Sequence, residues 1–365
     1  MKKLLGIIFV VLLGAGGWFA WAVMTPVEPA PQTFVMLRPG FSTRRIAAEL
    51  KRVGVIRNAE AFVLWHYIDR RRSLKAGEYL FEKPASIIDV QRRLRRGDVY
   101  FHTVVVPEGY TMFDIAEAIQ AAGLGQAEDF VKAAQSDTYL ISDIAPNARS
   151  LEGYLFPDTY EFTRLMSMDE MAGTMVKQFR VVAAQIGLIQ PEQTATKPGR
   201  IDPGDATSPP RLDFTIHVEQ LGDTVGPALY VPSLVTMASI VEKETAVPEE
   251  RPIVASVYYN RLDKHIALDA DPSIIYAEVL AGTYQGALHH ADMRFDSPYN
   301  TYRNAGLPPG PIGNPGRSSL EAAMHPAQTD YYYFVADAEG HHRFARTLEE
   351  HDKNVAAYRK AMRGR

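Results

Sequence analysis

The sequence predicts an α+β protein held by a single N-terminal transmembrane helix, with a duplicated small α+β module ahead of an α+β C-terminal domain. Three observations predict it. Leu4 to Met24 is a run of 21 residues without a charge, long enough to cross a bilayer as a helix. A strand, turn and helix pattern occurs twice: Gly40, Phe41, Ile46, Ala47 and Gly54 match Gly109, Tyr110, Ile115, Ala116 and Gly123 at one constant offset. The C-terminal part combines helix-period stretches with a loop-rich segment and two short strands.

Along the chain, residues 1–24 form the cytoplasmic start and the membrane anchor. Lys2 and Lys3 belong on the cytoplasmic side, which places the bulk of the chain beyond the inner membrane, in the periplasm. A cleaved signal peptide is the alternative. The run is longer than a usual h-region, and no clean small-x-small site precedes Pro26 to Pro31. Residues 25–33 are a Pro-rich tether. In the first module, 34–102, Val35-Met36-Leu37 reads as a strand, and Gly40 to Thr43 turns into a helix that buries Ile46, Ala47 and Leu50. A second helix starts at Ala59, Gly77 to Phe81 reads as a strand, and Ser86 to Leu94 as a third helix. The second module and its connection, 103–185, repeat the strand at Val104 to Val106 and the helix bearing Ile115, Ala116 and Ile119.

Residues 186–212 read as a flexible insert, with five prolines between 191 and 210. The C-terminal domain, 213–365, opens with an apolar helix over 231–246, N-capped by Ser233 after Pro232. A helix follows from Pro248 to Leu262, then a loop-rich stretch to about Gly316. A helix near Ser318–Met324, a strand at Tyr331–Ala336, a hairpin arm at His342–Ala345 and a terminal helix complete the domain.

Composition narrows the chemistry. The 46% hydrophobic and 22% charged content is that of a globular protein. With no cysteine, disulfides, thiolate metal sites and cysteine nucleophiles are excluded. The ten histidines include the adjacent pairs His289-His290 and His341-His342, but no His-Glu-x-x-His. There is no Gly-x-Ser-x-Gly elbow and no phosphate-cradling loop. The expectation is a protein without metal or cofactor.

Two carboxylates in the 231–246 helix are the candidate proton-transfer groups. Glu242 and Glu244 lie on opposite margins of the stripe formed by Leu234, Met237, Ala238 and Val241, so they cannot converge on one atom. Glu244 neighbours Met237, Ile240 and Val241, whereas Glu242 neighbours Val235 and Ala238. The bulkier surroundings favour Glu244 as a desolvated, protonated carboxyl group. Spacing alone still favours two structural, solvated glutamates. The densest polar loop is Ser297-Pro-Tyr-Asn-Thr-Tyr302, followed by Gly306 to Gly316, rich in proline. Tyr299, Asn300, Tyr302 and Asn314 are suited to stack on sugar rings and to hydrogen-bond acetamido groups. A rigid structural crossover is the alternative reading of the same loop.

Several motifs occur in order: Gly153-Tyr-Leu-Phe-Pro-Asp-Thr-Tyr160, Ala238-Ser-Ile-Val-Glu-Lys-Glu-Thr245, Ala255-Ser-Val-Tyr-Tyr-Asn-Arg-Leu262, Asp271-Pro-Ser273, Ser297 to Tyr302, Gly306-Leu-Pro-Pro-Gly-Pro-Ile312, His325-Pro326 and Tyr333-Phe-Val-Ala336. His342-x-Phe344 and His351 close the series. Together they resemble the endolytic murein transglycosylases of the YceG/MltG-like family, over nearly the whole chain. The repeated module resembles a LysM-like unit, a fold that often holds N-acetylated glycans. The resemblance implies a lytic transglycosylase that cleaves the β-1,4 bond between N-acetylmuramic acid and N-acetylglucosamine in nascent glycan strands, limiting their elongation. One glutamate would protonate the leaving oxygen and then deprotonate the muramic C6 hydroxyl, leaving a 1,6-anhydro end. Related lytic enzymes carry the acid as Glu followed by Ser or Thr. That assigns Glu244, before Thr245, as acid/base and Glu242 as a supporting or alternative acid, with Tyr299, Asn300, Tyr302 and Asn314 binding substrate. Where the family often has Leu-Gln before x-Asp-Pro, this chain has Leu268-Asp269, which bears on subsite contacts.

The implied partners are peptidoglycan strands, peptidoglycan synthases or elongation machinery, and the membrane; nucleic acid is not expected. From Arg38 to Asp98 there are 15 Lys/Arg against 7 Asp/Glu, a net of +8 in a chain whose net charge is −4. Such a module attracts anionic headgroups or the peptide carboxylates of cell-wall strands, or serves only solubility. A membrane-anchored glycan-binding scaffold without catalysis is the alternative function.

Overall fold

A computed structural model describes residues 2–69, 73–190 and 227–363. The expected flexible insert, 186–212, falls largely outside these residues. The described residues form two units: Met1–Thr103 with Glu161–Ser167, and Val104–Tyr160 with Met168–Arg365. Residues 104–160 and 168–185 thus cluster with the C-terminal segment, whereas 161–167 cluster with the first unit.

The first unit begins with helix α1, Lys2–Met24, long and apolar enough to cross a membrane. Its apolar side chains from Leu4 to Leu13 are exposed, and only Ala22 and Val23 at its end are buried. Strand β1, Thr33–Leu37, buries alternate residues and pairs antiparallel with β2, Gly77–Phe81, in a register that sets Val35 opposite Tyr79. Helix α2, Thr43–Arg52, starts at Ser42, whose hydroxyl accepts the Arg45 N–H at 3.3 Å. Helix α3, Ala59–Ile68, is capped in the same way by Asn58. Helix α4, Ile87–Arg96, carries a Ser86/Asp89 capping box. Ile46, Leu50, Phe62, Tyr79 and Leu94 meet in one core with the end of α1.

The order β, α, α, β, α then recurs. Strand β3, His102–Val105, pairs with β4, Thr159–Phe162. Between them lie α5, Met112–Ala121, with a Thr111/Asp114 capping box, and α6, Ala127–Ser136; α7, Met168–Gln185, follows. The correspondence extends to the turns: Gly40 and Gly109 both have positive φ, as do Gly54 and Gly123.

The rest of the second unit is built around α8, Pro227–Glu244. Helix α8 begins before the expected Ser233 cap and carries Pro232 in its interior. A proline here removes one ladder hydrogen bond. The Thr236 hydroxyl donates to the Pro232 carbonyl at 2.8 Å. Thr236 and Ser239 are buried as well, and the Ser239 hydroxyl accepts the N–H of Ile312, in the 306–316 loop, at 3.0 Å.

Helix α9, Arg251–Asp263, follows a short 3-10 turn. The stretch read as loop-rich contains α10, Asp271–Ala281, whose buried and exposed residues follow no simple stripe. Helix α11, Arg317–Met324, packs on α8. The hairpin of β5, Tyr333–Ala336, and β6, His342–Ala345, leads to α12, Leu348–Arg363.

Candidate active site

The last turn of α8 sends its two glutamates to different environments. Glu242 enters a buried ion pair: its Oε1 lies 2.8 Å from the Arg251 guanidinium, and both side chains are about 5% exposed. Its Oε2 accepts the Gly316 N–H at 2.9 Å, at the N-terminus of α11, where no side-chain cap exists from Gly316 itself. Arg251 also reaches Glu108 at 3.3 Å and donates to the Ser318 hydroxyl. Burial raises the Glu242 carboxyl above its usual range, while the Gly316 N–H and Arg251 pull it down.

Glu244 has no cation partner among the described residues. Its Oε1 accepts one hydrogen bond, from the buried Tyr258 hydroxyl at 2.6 Å. Burial pushes its carboxyl up to about 7; the Tyr258 hydrogen bond opposes this, and the charge of Asp271 adds to it. Near neutral pH this carboxyl group can therefore both give and take a proton.

Glu244 opens on a cleft of about 400 Å³ whose walls include Tyr302, Tyr333, Phe334, Asp269, Asp271 and His351. Arg261 binds one side together: it donates to the carbonyls of Ala267, Leu268 and Tyr332 and to Asp269 Oδ2, and its guanidinium lies over the Tyr333 ring. Asp269, in the position where glutamine was expected, holds a positive φ of 51° and faces this cleft. His351 stacks on Tyr333 at 5.4 Å, and burial keeps its imidazole below the ordinary range. It is therefore neutral at pH 7.

The 297–302 loop divides its two tyrosines between different places. Tyr302 donates to Asp271 Oδ1 at 2.6 Å, beside Glu244 in the cleft. Tyr299 packs on Tyr276, with ring centroids 5.1 Å apart, and lines a separate cavity of about 280 Å³. Asn300 faces inward. It is fully buried, its amide nitrogen donates to the Met293 and Phe295 carbonyls, and its oxygen accepts the Tyr302 N–H. Thr301 ties the loop to α10 through Ser273 and the Ala270 N–H. Asn300 thus sets the path of the loop from inside, instead of lining a sugar site as the sequence reading expects.

Asn314 is also fully buried and serves as a junction. Its Oδ1 accepts the Leu155 N–H at 2.9 Å, and its Nδ2 donates to the Tyr110 carbonyl and to Glu152 Oε1. Its backbone bonds to Gly109 and Tyr110. The close approach requires Gly313, where a Cβ would lie 2.8 Å from the Gly109 carbonyl oxygen. Asn314 is therefore also placed away from any exposed sugar surface.

Glu152 is the group that sequence reading missed. It is 2% exposed, its carboxylate accepts from the Met112 N–H, Tyr276 Oη and Asn314 Nδ2, and burial pushes it up to about 7. The available signal was a lone charge within the apolar run Leu151-Glu-Gly-Tyr-Leu-Phe156. Its oxygens accept the Met112 N–H in the first turn of α5, one of the donors that a helix N-terminus leaves free.

These features occur in a chain with recognisable relatives. It is 31% identical over 365 residues to the endolytic murein transglycosylase of Bacillus subtilis, covering 95% of this chain and 91% of that protein. It is 30% identical over 390 residues to the endolytic murein transglycosylase of Streptococcus pneumoniae serotype 2, covering 96% of this chain and 64% of that one. A crystal structure of a yceG-like protein from Listeria monocytogenes superimposes with a TM-score of 0.54 at 31% identity, covering 88% of this chain and 97% of that one. The YceG-like family profile matches residues 35–357, and the chain belongs to the YceG-like family.

Proposed function

We propose that this protein is a peptidoglycan lytic transglycosylase that cleaves glycan strands internally, with Glu244 as its single acid/base. The observation that carries the residue assignment is the contrast within one helical turn. Glu242 is neutralised by Arg251, whereas Glu244 has a carboxyl group near 7 and one neutral hydrogen-bond donor. In this reading the protonated Glu244 gives its proton to the oxygen between N-acetylmuramic acid and N-acetylglucosamine as the bond to C1 breaks. The resulting carboxylate takes the proton of the muramic C6 hydroxyl while that oxygen bonds to C1, leaving a 1,6-anhydro end. The proton count balances without an added water, so no second carboxylate is required to activate one.

Tyr302, Tyr333 and Phe334 supply aromatic faces for sugar rings in the Glu244 cleft. Asn300 and Asn314 act as positioning residues, Glu242 as a structural anion, and Tyr299 belongs to the other cavity. The two β, α, α, β, α repeats serve as LysM-like modules that hold the strand. Helix α1 anchors the protein in the inner membrane with its N-terminus in the cytoplasm and the bulk in the periplasm, next to the synthases or elongation machinery that make its substrate. In this setting, cleavage limits strand length.

The test is digestion of purified glycan strands by the full chain, read by mass spectrometry. New ends lighter by one water than hydrolytic ends support the reading. Ordinary reducing ends would make the protein a hydrolase, and binding without cleavage would make it a scaffold.

A further inference from the structure

We propose that the cavity beside Glu152 is a second ligand site, separate from the Glu244 cleft, which takes the carboxylate-terminated end of a short peptide. The cavity holds about 280 Å³ and shares no lining residue with the cleft. Tyr154 lines it and is 1% exposed, yet its hydroxyl has no hydrogen-bond partner among the described residues. A buried hydroxyl without a partner is costly, and a ligand amide would satisfy it. Arg149, also lining the cavity, is exposed and forms no ion pair among the described residues. Tyr299 and the Pro308 to Pro311 turn supply apolar walls.

This arrangement orders the ligand. Glu152 contributes to the lining, and its oxygens already accept the Met112, Tyr276 and Asn314 donors, so a second anion next to it is disfavoured. The ligand carboxylate therefore lies against the Arg149 guanidinium. A neutral amide meets the Tyr154 hydroxyl, and a small side chain contacts the proline wall. The inference rests on the peptidoglycan reading, because the peptide stems carried by glycan strands have this chemistry. It adds that the enzyme reads the stem at a place distinct from the scissile bond.

The test uses the full chain in detergent with N-acetyl-D-alanyl-D-alanine and its C-terminal amide as probes, and binding is followed by protein-detected NMR. The acid should bind about tenfold more tightly than the amide, the expected difference for a charge-assisted bond to arginine. Arg149→Ala should erase that preference, and Tyr154→Phe should weaken both probes about fivefold. Glu244→Gln should leave dipeptide binding unchanged. Equal binding of acid and amide, binding indifferent to Arg149→Ala and Tyr154→Phe, or no binding would overturn the proposal. Loss of the peptide site with strand cleavage intact refutes this inference alone. Absence of cleavage by the unaltered protein refutes the transglycosylase reading, whatever the dipeptide does.

Discussion

The Tyr258 hydroxyl lies 2.6 Å from Glu244 Oε1 and makes the one hydrogen bond that this carboxyl group receives among the described residues. It orients the carboxyl group without neutralising it. The neighbouring Glu242 is bound to a guanidinium and a helix N-terminus. The two glutamates should therefore fail in different ways.

Glu244→Gln should lower kcat for strand cleavage by about 10²–10⁴-fold, the usual weight of a general acid, with an unchanged circular dichroism spectrum and melting temperature no lower than that of the parent. Glu242→Gln removes one partner of a buried pair and should cost about 3–5 kcal/mol of stability, read as a lower denaturant midpoint. Full activity in Glu244→Gln would reverse the assignment.

The pH profile follows from the protonated form. With a Glu244 carboxyl near 7, cleavage should hold steady below that pH and fall above it as the acid is lost. Tyr258→Phe removes a hydrogen bond that favours the charged form, so the descending limb should move to higher pH. A limb that moved to lower pH would contradict the geometry.

Stability should also depend on pH, in a direction set by Glu152 and Glu244. Each carboxyl group titrates near 4.5 in its ordinary state and near 7 in the folded protein. The folded state holds the proton more tightly, so their contribution is complete below about 4.5 and is lost as pH rises towards 7. Thermal melts should show a decline across this window, by up to about 3 kcal/mol for a buried group such as Glu152. A melting temperature that rose steadily from pH 5 to 7 would exclude this balance.

Asn314→Ala should be strongly destabilising, by about 2–4 kcal/mol, because it leaves the buried Leu155 N–H without an acceptor and removes one of the two donors to Glu152 Oε1. Gly313→Ala should cost about 1–3 kcal/mol through the clash with the Gly109 carbonyl. Chemical denaturation measures both. Neutral effects would mean that the junction relaxes more readily than its packing implies.

Much of the local architecture was legible in residue order. Helices form where the sequence turns at 40–43, 86 and 109–111, and the structure adds why: the Ser42, Ser86 and Thr111 hydroxyls satisfy the first free N–H groups. The 21 uncharged residues of the N-terminal helix, the positive-φ turns at Gly40 and Gly109 and the 342–345 hairpin arm are likewise local consequences of side-chain chemistry. Helical period also separated Glu242 from Glu244. Other features depend on segments distant in sequence. Helix α8 starts before Pro232, and its Ser239 is buried where the hydroxyl accepts the Ile312 N–H of the 306–316 loop. Asn314 turned inward because its amide bonds to Tyr110 and Leu155, far away in sequence, whereas Asn300 turned inward onto the nearby Met293 and Phe295 carbonyls. The sequence by itself determined the uncharged N-terminal helix, the recurring order of strands and helices and the pair of candidate acids, all encoded by neighbours along the chain. Only the tertiary structure decided which glutamate meets a cation and that Glu152 is buried at all, since burial raises all three carboxyl groups and the packing around each supplies its partner: Arg251 for Glu242, Tyr258 for Glu244 and Asn314 for Glu152.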